Sequence, residues 1–125
     1  MKKKQFIIAL FVLAGAVIGY IQFVHAGNSN AIVSTDAKTQ VNVIIDEAIS
    51  VGAPTYNQGN YVGCYRIYEG ASYKIIYLYG SKCKEERKIL KEALEKSYGD
   101  YSFSEKAWIM RMAFDRILGV PTITK

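Results

Sequence analysis

The run from Gly59 to Gly80 decides what this chain can fold into, because reading it as helix or strand sets the fold class of its neighbours. Its Tyr, Ile and Val content suits β-structure, and Glu69-Gly70-Ala71-Ser72 would turn a hairpin. Against that, Cys64, Ile67, Tyr68, Ala71, Ile75 and Leu78 keep a three-four rhythm over more than four turns, whereas strict alternation fails at Ile75-Ile76. The spacing therefore predicts a helix, and the flanking segments agree with it. After Asp36, Val41, Ile44, Ile45, Ala48 and Ile49 follow helical spacing, with Gly52 and Pro54 as a stop and Gly52 to Asn60 as the connection. Ser81 is expected to cap a third helix. Its first turn carries Glu85 and Glu86, its core stripe is Ile89, Leu90, Ala93 and Leu94, and it ends at Gly99. Lys88 with Glu92, Lys91 with Glu95, and Glu92 with Lys96 make its other face a solvated ladder. Ser102-Phe103-Ser104-Glu105 is a capping box, opening a fourth helix with Ala107, Met110, Phe114, Ile117 and Leu118 on one side, closed by Gly119 and Pro121.

Four amphipathic helices with short connections predict an all-α fold, a compact four-helix bundle or two packed helical hairpins over residues 35–120. Residues 27–34 read as a flexible lead-in and 121–125 as a tail. Ahead of them, Lys2, Lys3 and Lys4, the apolar run from Phe6 to Ile21, and Val24-His25-Ala26 before Gly27 have the form of a secretory signal peptide, residues 1–26. The alternative is an uncleaved anchor across 6–24, which borders on the length needed to cross a bilayer. Either way the folded part is expected outside the cytoplasm, periplasmic or secreted, with any membrane attachment made only through that segment. Removing three lysines takes the formal charge from +5 to +2, and the remaining charges are interspersed, which argues against a nucleic-acid partner. What remains is enough for one domain with one core.

The run Gly59, Tyr61, Cys64, Tyr68, Ala71, preceded by Gly52, resembles one tetratricopeptide repeat. Small Cys64 stands where that family usually has alanine, and Tyr68 stands at its large packing position. Pro54 departs from the pattern, since the family's first helix should continue there, and a shift of 34 residues reveals no second copy. The resemblance covers residues 52–71 and implies a helix-turn-helix and peptide or protein binding, with no individual site residue carried over.

Catalytic chemistry has few means here. The only histidine, His25, lies in the export segment, so a cleaved protein has no imidazole for a triad, a proton shuttle or a zinc site. Asp46, Glu47, Glu69 and Asp115 have no spacing that singles out an acid-base pair. No enzyme, no metal and no cofactor is expected. Cys64 and Cys83 leave two readings open: a disulfide, if the chain breaks at Gly70 and folds back, or a small buried core residue at Cys64.

Tyrosine is the unusual part of the composition, since seven of the ten lie between Tyr56 and Tyr79. At about 100° per residue, Tyr61, Tyr65, Tyr68 and Tyr79 border the core stripe, while Gly63, Arg66, Gly70, Tyr73 and Tyr77 cluster opposite. Each glycine inside a helix costs about 1 kcal/mol against alanine, so either another helix of the domain or an outside partner should come down on that bare backbone. Trp108 and Met112 pose the same question on the fourth helix. The first expectation is an interaction module that binds a protein or peptide through Gly63, Arg66, Gly70, Tyr73, Tyr77 and Trp108. The alternative is a carrier for a small apolar or aromatic ligand between helices, lined by Tyr65, Tyr68, Met110 and Phe114. A carboxylate enzyme comes third.

Overall fold

A computed structural model describes residues 29–121, with side chains from Thr35 onward. The expected export segment and the end of the tail lie outside the described residues. Two units divide the chain, residues 1–33 and 34–125. Of the first, only Ser29–Val33 is described, as helix; the second holds the packed helices.

The fold is an all-α bundle of four helices: α1 (Ser29–Asn57), α2 (Tyr61–Tyr79), α3 (Lys84–Ser97) and α4 (Phe103–Leu118). No strand occurs among the described residues. Helices α2, α3 and α4 pack on one another, and α1 adds Ala37, Val41, Ile44, Ile45 and Ala48 to the same core. Phe114, Ile45, Ile75, Leu90 and Met110 are fully sealed at its centre, and the Phe114 ring meets Tyr68 edge-on at 5.3 Å between centroids. Burying side chains of this size contributes about 1.5–3 kcal/mol each.

Helix α1 differs from its expected limits at both ends. It begins at Ser29, ahead of the start expected at Asp36. At the other end it runs through Pro54. Proline removes the N–H that would bond the carbonyl four residues back; here Pro54 and Ser50 are both exposed, so the orphaned carbonyl lies on the solvent side. Buried Gly52 meanwhile fixes the last turns against Tyr68, as a Cβ there would sit 2.8 Å from the ring's Cζ. The connection shrinks to Gln58-Gly59-Asn60, turned by Gly59 at φ 81°.

Helix α2 is unbroken at Gly70, and its buried face is Cys64, Tyr65, Tyr68, Ser72 and Ile75. Ser72 joins that face because its hydroxyl donates to the Tyr68 carbonyl at 2.9 Å and so needs no water. Leu78, expected in the stripe, is exposed: the step from Ile75 runs to Tyr79, which packs on the core. Cys64 lies in the first turn of α2 and Cys83 beyond its end, separated by roughly 22 Å of helix at 1.5 Å per residue. The two are separate, buried free thiols, so the bridge that a break at Gly70 would have allowed is not formed.

Ser81 does not cap α3. The turn after α2 closes through Lys82 N–H and Cys83 N–H onto the Tyr79 carbonyl, and buried Cys83 takes the N-cap position without a side-chain bond. Burial of Cys83, rather than a polar cap, sets where α3 starts. The stripe Ile89, Leu90, Ala93 and Leu94 is buried as spaced, together with Ser97. In α4 the capping box forms in full: Glu105 N–H donates to Ser102 Oγ at 3.3 Å, and Ser102 N–H donates to Glu105 Oε2 at 2.8 Å. The Ser102 hydroxyl also donates to Glu105 Oε2 at 2.7 Å, and this bond, followed by the one from Ser102 N–H, holds the Glu105 carboxyl below its ordinary range. Gly119, left-handed at φ 71°, ends α4.

Candidate functional site

The outer face of α2 is built from residues three and four apart, which places them in one row along the helix. Val62, Arg66, Gly70, Tyr73 and Tyr77 are all exposed, Tyr77 at 88% and Tyr73 at 50%. A Cβ at Gly70 would find nothing within 4 Å. Among the described residues no helix covers this backbone, so no internal packing accounts for Gly70 there.

The row is held in place by its own neighbours. Arg66 Nη1 donates to Glu69 Oε2 at 2.7 Å, and its guanidinium lies over the Tyr65 ring, 5.4 Å from the centroid. Exposed ion pairs of this kind contribute little to stability; what this one does is fix the Arg66 plane. The Tyr65 hydroxyl donates to Glu69 Oε1 at 3.0 Å and lies 3.1 Å from Ser97 Oγ, linking the row to the end of α3. Burial pushes the Tyr65 phenol up. The Tyr73 hydroxyl bonds to that of Tyr98, the residue after α3. That bond and partial burial push the Tyr98 phenol up to about 12, so it keeps its proton.

The residues grouped by sequence separate into three places. Arg66, Gly70, Tyr73 and Tyr77 share the outer row. Gly63 serves the α2 N-terminus: its N–H donates to the Asn60 side chain at 2.9 Å, and a Cβ would lie 2.6 Å from Asn60 Nδ2. A side chain at this position would push the Asn60 amide aside. Trp108 stands at the end of α1, where its Nε1 donates to the Tyr56 hydroxyl at 2.9 Å. Tyr56 in turn contacts Tyr61, 4.7 Å between centroids, and bonds to Ser104. Val62 and Tyr98 were not in the expected set; a four-residue step back from Arg66 would have found Val62, whereas Tyr98 joins only through the packing of α3 beside α2.

A cavity of about 150 Å³ opens beside Trp108, with Cys64, Tyr68 and Ala107 buried within its lining. Of the four side chains expected to line a carrier pocket, only Tyr68 borders it; Met110 and Phe114 are fully buried in the core. Desolvation pushes the Tyr68 phenol up to about 12, with the Cys64 thiol adding to the rise and Arg111 partly opposing it. Burial also pushes the Cys64 thiol up, so it is a neutral, poor nucleophile. Arg111 Nε donates to Asp115 Oδ1 at 2.9 Å. Among the described residues no group of three or more His, Cys, Asp or Glu side chains is placed to hold a metal ion.

No protein-family model matches the chain, and neither a curated protein nor a solved structure is significantly similar to it.

Proposed function

We propose that this chain is an exported, non-enzymatic interaction module that holds a segment of another protein along the outer face of α2. The observation that carries the reading is the uncovered backbone at Gly70, flanked by Tyr73, Tyr77 and Arg66. An exposed helix gains about 1 kcal/mol from alanine over glycine, and nothing among the described residues needs the missing Cβ here. A partner whose backbone descends on Gly70 does need it. Tyr and Arg are the residues most enriched where binding energy concentrates, and the two tyrosine hydroxyls can meet carbonyls of such a segment while their rings cover its apolar side chains. The likeness of residues 52–71 to a single tetratricopeptide hairpin points toward peptide binding as well. The basic and apolar start of the chain supports export, and neither nucleic acid nor a cofactor enters this reading.

The test is affinity capture from the exported fraction with wild type, Gly70→Leu and Tyr77→Ala. Both positions are open to solvent, so both variants keep the fold, which circular dichroism checks. A partner retained by wild type and lost by both variants is the expected result. The same partners captured by all three proteins would sink the proposed face.

A further inference from the structure

The cavity at Trp108 is independent of the α2 row and has the chemistry of a small-molecule site. Its depth is set by Cys64, Tyr68 and Ala107, all nearly sealed, while exposed Trp108 and half-buried Arg111 and Tyr56 stand nearer the surface. The aromatic part is fixed before any ligand arrives: Trp108 donates to Tyr56, and their rings meet edge-on at 5.9 Å between centroids. A volume of about 150 Å³ accommodates one benzene-sized ring. Among the described residues Arg111 is the only charged one in the lining, and its bond to Asp115 through Nε holds the guanidinium plane while Asp115 itself stays outside the lining. A cavity with aromatic walls, one fixed cation and no carboxylate favours a flat anion.

We propose that this cavity binds a small aromatic carboxylate of benzoate size, its ring against Trp108 and Tyr56 and its carboxylate on Arg111. Tyr68 lines the same deep part of the cavity, its protonated hydroxyl engaged with Cys64 and Arg111. The side chain of Ala53, also in the lining, is where added bulk would fill the space.

Trp108 is the only tryptophan of the chain, so its emission reads this site without a label. Benzoate titrated into the full chain should change Trp108 fluorescence saturably, and benzyl alcohol should bind more weakly. Arg111→Gln should weaken benzoate by roughly tenfold or more, the loss of one charged hydrogen bond, and leave benzyl alcohol unchanged. Ala53→Leu should abolish both responses while the helical circular dichroism stays that of wild type. A linear, unsaturable quench in wild type would overturn the site. Benzyl alcohol binding wild type as tightly as benzoate would overturn the carboxylate assignment, even if Arg111→Gln failed to fold.

Discussion

Gly52 and Gly70 lie in adjacent helices, and their surroundings are opposite. At Gly52 a Cβ would run into the Tyr68 ring, so this glycine lets α1 approach α2 closely enough for the ring to be buried. At Gly70 a Cβ would meet nothing. Among the described residues the first glycine is accounted for and the second is not. The same division separates the two sides of α2, with Cys64, Tyr68, Ser72 and Ile75 sealed and Arg66, Gly70, Tyr73 and Tyr77 open. On the proposed reading, Gly70 is kept at a cost to its own helix for the sake of a contact with a partner.

The largest effect that bears on this division is expected from Tyr68→Ala, which empties the space beneath Gly52. Loss of a buried aromatic ring costs about 3–5 kcal/mol, read as a shift of the urea midpoint; a loss below 1 kcal/mol would show that the inner side is not packed as described. Next, Gly52→Val should destabilise by about 1–3 kcal/mol through overpacking against that ring. If Tyr68 swings aside at no cost, Gly52 loses its structural explanation and the contrast with Gly70 fails.

Alkaline pH should act on the sealed side in a defined direction. Tyr68 has an ordinary value of 10.0 and sits at about 12 when folded, so the unfolded chain gives up this proton first. Its contribution is fully present below pH 10 and is lost as pH rises toward 12. Tyr65, Cys64 and Cys83 are raised as well and push the same way. Urea midpoints should therefore fall steeply above pH 9, and Tyr68→Phe should flatten the fall between 10 and 12. A midpoint unchanged at pH 11 would contradict the burial of these groups.

The smallest effect has the opposite sign. Gly70→Ala should stabilise the isolated protein by about 1 kcal/mol, the helix-propensity difference with nothing in the way. Destabilisation would mean that Gly70 does have an internal role.

Much of this was legible from side-chain spacing, where one helix carries its own signals. Ser102 and Glu105 announce α4, the Ile89-Leu90-Ala93-Leu94 stripe announces α3, and the three-four rhythm of residues 64 to 75 identifies α2 as helix. The face shared by Arg66, Gly70, Tyr73 and Tyr77 follows from the same geometry. Pro54 misleads because its cost depends on which side of α1 faces water, and Ser81 because burial of Cys83 outweighs a weak polar cap. Gly63 belongs to the Asn60 cap, a three-residue contact that the wheel does not display. The cavity was the least legible part: Tyr56 and Trp108 are 52 positions apart, and Ala53, Cys64 and Arg111 meet only once three helices have packed.

Site-specific photo-crosslinking in the producing cell probes the outer face of α2 itself, with a photoreactive phenylalanine at position 77 and, as a control, at position 91 on the solvated face of α3. If a partner sits on α2, position 77 yields a discrete crosslinked species that is absent from position 91 and lost when Gly70→Leu is added. No adduct at 77, or the same adducts from both positions, would contradict it.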